Sequence, residues 1–185
     1  MISKTEIRKN SIEKRKNLGQ DYINIQSEII ISKVLNTVEY KNAMHIFTYI
    51  STPFEVRTEG FIRQAISDNK ILLVPVLISK TRMAAGIISN DTVFIKNRYN
   101  IDEPEIKNIY DGKIDIIITP ALNFDSGGAR LGYGGGFFDR FFEIHKEALK
   151  IGLCVDELIA ENLPCESHDI KMDMIITQSR TINLK

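Results

Sequence analysis

Short, almost uninterrupted apolar runs constrain the fold of this chain more than any other feature. Four of them have the length of a strand: 71–77 (ILLVPVL), 115–119 (DIIIT), 151–155 (IGLCV) and 174–177 (MIIT). Such runs are typical of strands that are covered on both faces, as in a parallel sheet. Segments with helical spacing alternate with them, at 3–18, 22–35, 56–67 and 135–149. We therefore expect an α/β fold, with an open, mainly parallel sheet and helices on both faces, a three-layer α/β/α sandwich.

Less regular segments complete the expected order of elements. We predict a strand over 44–50, two short strands within 83–96 that could pair as a hairpin, and a polar surface loop over 97–112. The strand at 174–177 should be the last. Each of the first two helices should bury an apolar stripe. The expected stripe residues are Ile7, Ile12 and Leu18 in the first helix, and Ile25, Ile29, Val34 and Leu35 in the second.

The composition is that of a soluble globular protein with one core. The chain has 185 residues, 43% apolar and 26% charged, which suits a single domain over 1–185. Basic and acidic residues balance at 24 each, so the charge does not indicate a nucleic-acid partner. We expect a cytoplasmic protein without a membrane span, because the N-terminal segment is charged and no apolar run approaches about 20 residues. Cys154 and Cys165 have no zinc-binding or disulfide spacing.

A cluster of glycines follows the strand at 115–119. Six of the eleven glycines of the chain fall within the ten residues 127–136. Glycines let the backbone approach a ligand closely and let successive amides point towards one anion, as in phosphate-binding loops. The helix expected from 135 would add the partial positive charge of its N-terminus. Arg130 could make a forked contact to phosphate oxygens, and Asp139 suits the Mg²⁺ ion that accompanies ATP.

Two known phosphate-binding motifs are excluded for this loop. No Gly-Lys-Ser/Thr sequence occurs in it, so it is not a P-loop. Phe137 stands where the third glycine of a dinucleotide-binding G-x-G-x-x-G motif starting at Gly132 would be. A tight, purely structural turn is the alternative interpretation of the glycines.

The basic N-terminal helix is a second candidate for contact with phosphate. Lys4 and Arg8 are four residues apart and share one helix face. Positions 1–18 hold six basic residues against two acidic ones. These residues either form a solvated face or reach the phosphates of a nucleotide, and the spacing does not decide between the two.

The sequence resembles a known family. The segment GGARLGYGGGFFDRF, at 127–141, closely resembles the signature loop of the 5-formyltetrahydrofolate cyclo-ligases, also called methenyltetrahydrofolate synthetases. The resemblance covers nearly the whole chain. Its shorter pieces occur in the family's order: K-x-x-x-R at 4–8, Y-I-S-x-x-x-E-V at 49–56, E-P at 103–104, D-I-I-I-T-P-A-L-x-F-D at 115–125, K-I-G-L at 150–153, L-P-x-E-x-H-D at 163–169 and K-M-D-x-I-I-T at 171–177.

Membership of this family would imply a defined reaction. 5-Formyltetrahydrofolate and ATP, with Mg²⁺, would give 5,10-methenyltetrahydrofolate, ADP and phosphate. The formyl oxygen would attack the γ-phosphate, and a folate nitrogen would then close the ring as phosphate leaves. Such chemistry needs positioning and charge stabilisation more than a protein nucleophile. The resemblance also implies one cyclo-ligase domain over 1–185 that works as a monomer.

The resemblance assigns roles position by position. The ATP-binding positions are Lys4, Thr5, Glu6, Ile7, Arg8, Arg130, Leu131, Gly132, Tyr133, Gly134, Gly135, Gly136, Phe137 and Phe138. The folate-binding positions are Ile50, Glu55, Tyr133, Gly134, Gly135, Gly136 and Phe137, where Glu55 would hydrogen-bond the pterin ring. Asp139 and Asp173 match the magnesium positions, and Arg130 and Tyr133 are the expected catalytic residues.

The chain also departs from the family pattern. Arg57 stands before Thr58 where the family usually has Asp, and Phe137-Phe138 replace a pair that is often Tyr-Tyr. The segment 83–89 is less aromatic than the family's. Two other classes of protein therefore stay open: a sugar-phosphate isomerase, which would need neither ATP nor Mg²⁺, and a non-catalytic nucleotide- or folate-binding α/β domain.

Overall fold

The computed structural model describes residues 3–96, 102–105, 108–166 and 169–185, and its centre is an eight-stranded sheet. The strands are β1 His45–Phe47, β2 Ile71–Leu77, β3 Met83–Ile88, β4 Phe94–Lys96, β5 Asp102–Pro104, β6 Ile109–Tyr110, β7 Ile116–Thr119, β8 Asn123–Asp125, β9 Arg130–Leu131, β10 Leu149–Leu153, β11 Ile159–Ala160, β12 Met174–Ile176 and β13 Thr181–Asn183. The helices are α1 Lys4–Leu18, α2 Gln20–Asn36, α3 Val38–Asn42, α4 Glu59–Ser67 and α5 Phe137–Ile144, with a 3₁₀ turn at Asp156–Leu158.

The central sheet has the strand order β13-β12-β10-β7-β1-β2-β3-β6. Neighbouring strands from β12 to β2 are parallel, whereas β13 at one end and β3 and β6 at the other pair antiparallel. Two smaller sheets, β11-β8-β9 and β4-β5, flank it. The predicted α/β fold with a mainly parallel sheet is therefore confirmed.

Both faces of the sheet are covered. Ile46 and Phe47 of β1, and Ile117 and Ile118 of β7, are fully buried. Because consecutive side chains of a strand point to opposite faces, burial of such pairs requires a layer on each side. Helices α2 and α4 pack together and contact β12 and β2, while α5 places the ring of Phe141 4.4 Å from that of Phe47. No helix in the described ranges is long and apolar enough to cross a bilayer.

The predicted buried faces of the first two helices were only partly right. In α2, Val34 is buried and Leu35 packs against the core as predicted, but Ile25 and Ile29 are 59% and 43% exposed, and Ile23, Ile30 and Ile31 are buried in their place. In α1, Ile7 and Leu18 pack against apolar clusters as predicted, but Ile12 is 40% exposed, and the buried residues are Ser11 and Arg15. Helix α1 therefore docks largely through polar side chains, which an apolar stripe cannot reveal. Its predicted start is confirmed, because the side chain of Ser3 caps the helix by accepting from the Glu6 amide at 3.2 Å.

Several expected boundaries in the middle and at the end of the chain were also wrong. The strands within 83–96 do not form a hairpin with each other, because β3 pairs with β2 and β6, and β4 pairs with β5. The segment 97–112, of which the structure describes 102–105 and 108–112, holds two short strands rather than only a loop. Helix α5 ends at Ile144, five residues earlier than expected, and β13 adds a last antiparallel strand beyond 174–177.

We expect the protein to lose stability in alkaline solution. Burial raises the pKa of the Cys154 thiol from 9.0 to about 12, and the hydrogen bond to Glu157 raises the pKa of Tyr22 from 10.0 to about 12. Both groups ionise first in the unfolded chain, so their contribution to the free energy of unfolding should be fully present below pH 9.0 and be lost between that pH and about 12. Urea denaturation at a series of pH values measures this fall.

Cys154→Ala is the matched variant for this measurement. Without the thiol, the fall in the free energy of unfolding should begin near 10.0, the ordinary pKa of tyrosine, rather than near 9.0. A free energy of unfolding that stays level across this range in the parent protein would contradict the expectation.

Candidate functional site

A large cavity lies beyond the carboxyl ends of the central strands. It has a volume of about 830 Å³ and is bordered by Tyr49 and Ile50 after β1, Leu77 at the end of β2, and Pro120 after β7. The chain passes from β1 to β2 on one side and later from β7 to β10 and β12 on the other. In open α/β sheets, ligands bind at such points where the strand order reverses. The topology alone thus marks this cavity as the candidate site.

The glycine-rich segment divides into two parts with different functions. Gly127 and Gly128 belong to the turn between β8 and β9 and do not line the cavity. The buried carboxylate of Asp125 accepts from the amides of Gly127 and Ala129, both at 2.9 Å, and from that of Leu163 at 3.0 Å. The structural-turn interpretation is therefore correct for the first two glycines. The other four, Gly132 and Gly134–Gly136, line the cavity.

Asp125→Ala should destabilise the protein strongly. The substitution leaves three amides without their acceptor in a place where Asp125 is only 5% exposed. We expect the free energy of unfolding to fall by at least about 3 kcal/mol in urea denaturation. Ser126→Ala, at an exposed position of the same turn, is the control. A loss below about 1 kcal/mol for Asp125→Ala would show that the turn does not depend on this carboxylate.

The four cavity glycines lie where side chains would clash or strain the backbone. A Cβ at Gly132 would stand 2.9 Å from Nη1 of Arg130. Gly134 and Gly136 have φ values of +97° and +64°, in the left-handed region that glycine tolerates best. Gly136 is also the N-cap of α5, so the first amides of that helix have no partner within the helix. Such amides, with the helix dipole, favour an anion at this end of the cavity.

Arg130 lies against this glycine loop and is held on several sides. Its side chain is 6% exposed, and Nη2 donates to Oδ1 of Asp139 at 2.6 Å. The guanidinium carbon lies 5.6 Å and 5.5 Å from the ring centroids of Phe138 and Phe142. Among the described residues, Nε of Arg130 has no hydrogen-bond partner. The cation is therefore fixed in position at the wall of the cavity and retains an unused donor.

The structure brings the N-terminal helix to the same loop. Arg8 donates from Nε to the carbonyl oxygen of Gly132 at 3.0 Å, and Lys4 contacts carboxylate oxygens of Asp169 at 2.8 Å and Glu166 at 3.0 Å. The cavity is lined by Lys4, Arg8, Glu166 and Asp169. The solvated-face interpretation therefore fails for Lys4 and Arg8. The intervening Thr5, Glu6 and Ile7 do not line it.

A carboxylate and a phenol form the opposite part of the site. Glu55 is 6% exposed, and its Oε1 accepts from the hydroxyl of Tyr133 at 2.8 Å. Its Oε2 accepts from the amide and hydroxyl of Thr52, both at 2.8 Å. Tyr133 is 54% exposed, but desolvation by the surrounding cavity wall and the charge of Glu55 raise the pKa of its hydroxyl, so this phenol stays protonated. Ile50 and Phe137 border the same space.

Arg57, one of the departures from the family pattern, supports this part of the site from outside. Its Nη1 donates to the carbonyl oxygen of Thr52 at 3.2 Å, and Nη2 pairs with Glu59. The arginine therefore braces the turn that carries Glu55, without lining the cavity.

Sequence reasoning missed several residues of the cavity wall. They are Tyr49, Thr52, Pro75, Leu77, Met83, Asp102 and Pro120. Most of them are apolar residues or turn residues at strand ends, whose side chains carry no chemical signal. Only the sheet order, which brings the end of β2 and the start of β3 beside β1, could have indicated Leu77 and Met83.

The two predicted magnesium positions have different surroundings. Asp139 lines the cavity beside Arg130. Asp173 precedes β12 at the amino ends of the parallel strands, accepts from the amide of Lys150 at 2.8 Å, and does not line the cavity. The described residues contain no group of three or more acidic, histidine or cysteine side chains that could hold a metal ion. Of the two predicted magnesium positions, Asp139 is therefore the one that lies at the cavity.

Comparisons with known proteins identify the family of this chain. The family model described as "5-formyltetrahydrofolate cyclo-ligase family" matches residues 1–178. A 5-formyltetrahydrofolate cyclo-ligase of Haemophilus influenzae is 32% identical over 176 residues, 91% of this chain and 92% of the relative. The solved structure of the 5,10-methenyltetrahydrofolate synthetase of Aquifex aeolicus superposes with a TM-score of 0.89 at 26% identity, covering 100% of this chain and 94% of that one. The chain belongs to the 5-formyltetrahydrofolate cyclo-ligase family.

Proposed function

We propose that this chain catalyses the ATP- and Mg²⁺-dependent cyclisation of 5-formyltetrahydrofolate to 5,10-methenyltetrahydrofolate, with release of ADP and phosphate. One observation carries the proposal. A single cavity joins a cationic, glycine-rich end, with Arg8 and Arg130, to an end that holds the Glu55–Tyr133 pair. A reaction between a nucleotide and a folate requires both ends in one space. Similarity to a 5-formyltetrahydrofolate cyclo-ligase and to a 5,10-methenyltetrahydrofolate synthetase supports the same reaction.

The cationic end would hold the phosphates of ATP. Arg8 and Arg130 supply charged donors, and Gly134–Gly136 with the first amides of α5 supply backbone donors. Leu131, Gly132 and Phe138 complete this wall. The assignment of Thr5, Glu6 and Ile7 to ATP stays a prediction, supported by their position between Lys4 and Arg8.

The other end would hold the reduced pterin. Glu55 is a buried carboxylate that can accept from ring N–H groups, because a carboxylate offers about four lone-pair sites and three are used here. Ile50, Met83 and Phe137 give this end an apolar wall that suits a flat ring. Tyr133 and Gly134–Gly136 connect the two ends along the chain, so this segment would contact both substrates.

The chemistry needs little from the protein beyond position and charge. The formyl oxygen attacks the γ-phosphorus, the bond to the bridging oxygen breaks, and ADP leaves. The neighbouring folate nitrogen then attacks the activated formyl carbon and loses its proton, and the former formyl oxygen departs as part of phosphate, which takes up a proton. Arg130 would stabilise the negative charge on the transferring group. Tyr133 stays a predicted catalytic residue, and its hydroxyl would have to exchange its hydrogen bond to Glu55 for one to a substrate oxygen.

The residues present fit a magnesium ion brought in with ATP. Mg²⁺ commonly takes one or two carboxylates together with phosphate oxygens and water, and Asp139 lines the phosphate end of the cavity. When bound, the ion would neutralise charge on the β- and γ-phosphates. Asp173 stays a predicted ligand, and its contact with Lys150 places it outside this wall.

We also propose that the protein works as a monomer in the cytoplasm. Its ligands would be ATP and a reduced folate, and it would have no nucleic-acid partner. The balanced charge of the chain supports the last point. The cavity is formed within one chain, which supports a monomer. Light scattering of the purified protein at working concentration tests the oligomeric state directly.

A direct assay tests the proposed reaction. The protein is mixed with 5-formyltetrahydrofolate, ATP and Mg²⁺, and absorbance is followed in the near-ultraviolet, where the conjugated methenyl product absorbs. A rise that needs both ATP and Mg²⁺ supports the proposal. No rise from folded protein that binds ATP and folate favours the non-catalytic binding domain. Turnover of a sugar phosphate without ATP would favour the isomerase.

A further inference from the structure

Arg15 is a buried arginine that connects α1 to two loops. It is 4% exposed. Nη1 donates to the carbonyl oxygen of Phe54 at 2.7 Å, and Nε and Nη2 donate to that of Leu122 at 3.4 Å and 3.2 Å. Nη2 also contacts the carbonyl oxygen of Ala121. One rigid guanidinium therefore holds α1, the turn at Phe54 and the loop after β7 together.

These contacts do not include a carboxylate. In the described part of the chain, no ion pair within 4.0 Å joins Arg15 to an acidic side chain. Burying an unpaired cation is unfavourable, because carbonyl dipoles compensate the lost hydration only in part. The guanidinium has five donors in a rigid, planar fork, so it can reach several carbonyl oxygens at once. The position of Arg15 relative to the site indicates what this fork is used for.

Both loops held by Arg15 lead directly into the cavity. Phe54 precedes Glu55, and Ala121 follows Pro120, which lines the cavity at the end of β7. Arg15 lies on the same face of α1 as Arg8, two turns apart, and Arg8 contacts the glycine loop. The charge of Arg15 also acts on Tyr133 and Tyr49, where it opposes the rise of their pKa values.

We propose that Arg15 is a positioning residue for the cyclisation, which acts through Glu55 and sets its place relative to the phosphate-binding face of α1. The inference rests on the proposed function. Arg15 itself touches neither substrate. It fixes the folate-binding turn against the helix that carries Lys4 and Arg8, so that the formyl oxygen and the γ-phosphate meet at reacting distance. A small displacement of a reacting group is enough to slow such a step strongly.

Arg15→Lys is the first test. Lysine keeps the charge and most of the side-chain volume, but one ammonium cannot match the planar fork that reaches Phe54 and Leu122 together. We expect kcat to fall about 30-fold, with the affinity for ATP within about threefold of the parent, after normalisation to the ATP-binding fraction of each sample. Lys14→Ala removes a cation from the exposed side of the same helix and should leave kcat unchanged.

A double-mutant comparison shows whether Arg15 acts through Glu55. In the Glu55→Gln background, Arg15→Lys should lower kcat by no more than about threefold further, because the group it positions is already altered. If the two residues had independent roles, the losses of kcat in the two single variants would instead multiply in the double variant. A structural role alone would lower the ATP-binding fraction and the thermal midpoint while leaving kcat per binding site unchanged.

The outcomes separate the two proposals. Parent protein that forms no methenyl product overturns the proposed function, and the inference with it. Active parent protein with an Arg15→Lys variant whose kcat per ATP-binding site lies within about threefold overturns the inference alone. If the two losses of kcat multiply fully in the double variant, Arg15 does not act through Glu55.

Discussion

Replacing Arg130 with alanine is expected to lower kcat for methenyl formation about 10³-fold, the largest effect of any single substitution in this cavity. The side chain is held between Phe138 and Phe142, pairs with Asp139, and has an unused donor, so in the proposed reaction its charge would meet the transferring phosphoryl group without reorganisation. Initial rates from methenyl absorbance at saturating ATP and folate measure the loss.

A second consequence of Arg130→Ala follows from its ion pair. Asp139 would lose the cation that holds its Oδ1, so the affinity for Mg²⁺-ATP should change along with kcat. Arg130→Lys keeps the charge but loses the forked geometry, and should recover only a minor part of the rate. Arg63→Ala, on the exposed side of α4, is the matched loss of an arginine and should keep full activity. If Arg130→Ala kept more than about a tenth of the parental kcat, Arg130 would not be catalytic.

The fold was predictable because its central strands are buried on both faces. Such strands need apolar residues at every position, and the runs at Ile71–Leu77 and Ile116–Thr119 show this directly. The strands that escaped prediction, such as β6 and β13, lie at the ends of the sheet and have mixed, exposed sequences. Their pairing depends on a neighbouring strand rather than on their own composition.

The phosphate end of the site was predictable for a related reason. Gly134 and Gly136 adopt backbone conformations that few other residues tolerate. The glycines in the sequence therefore indicate where such conformations occur. Gly127 and Gly128 are also glycines, but they form a turn that is held by the carboxylate of Asp125. Composition could not separate these two uses, because the difference lies in what each glycine faces.

The docking of α1 was not predictable from periodicity. Arg8, Ser11 and Arg15 lie on one face and contact carbonyl or amide oxygens contributed by distant segments, at Gly132, Asn123 and Leu122. A polar face of this kind has the pattern of a solvated surface until its acceptors are known. The basic N-terminal segment therefore serves the site through tertiary contacts that no local pattern encodes.

Glu55→Gln is expected to reduce kcat/KM for 5-formyltetrahydrofolate about 30- to 100-fold, with the affinity for ATP unchanged. The carboxylate accepts three hydrogen bonds, from the Tyr133 hydroxyl and from the amide and hydroxyl of Thr52. A glutamine has one acceptor oxygen, so its NH₂ group must face at least one of these donors. Hydrogen bonds to a charged group contribute about 1.5–3 kcal/mol, which corresponds to roughly 10- to 150-fold in rate or affinity.

A control variant, Glu59→Gln, distinguishes the effect of losing the Glu55 carboxylate from the effect of disturbing the turn that carries it. Glu59 accepts from the Ser51 hydroxyl and pairs with Arg57 on the outer side of the same turn, so Glu59→Gln perturbs the turn without changing the cavity. It should lower kcat/KM by no more than about threefold. Equal losses in both variants would assign the effect to the turn, and a loss of ATP affinity in Glu55→Gln would place the nucleotide, rather than the pterin, against Glu55. A loss confined to folate, with ATP still bound normally, is what a divided cavity with Arg8 and Arg130 at one end and Glu55 at the other requires.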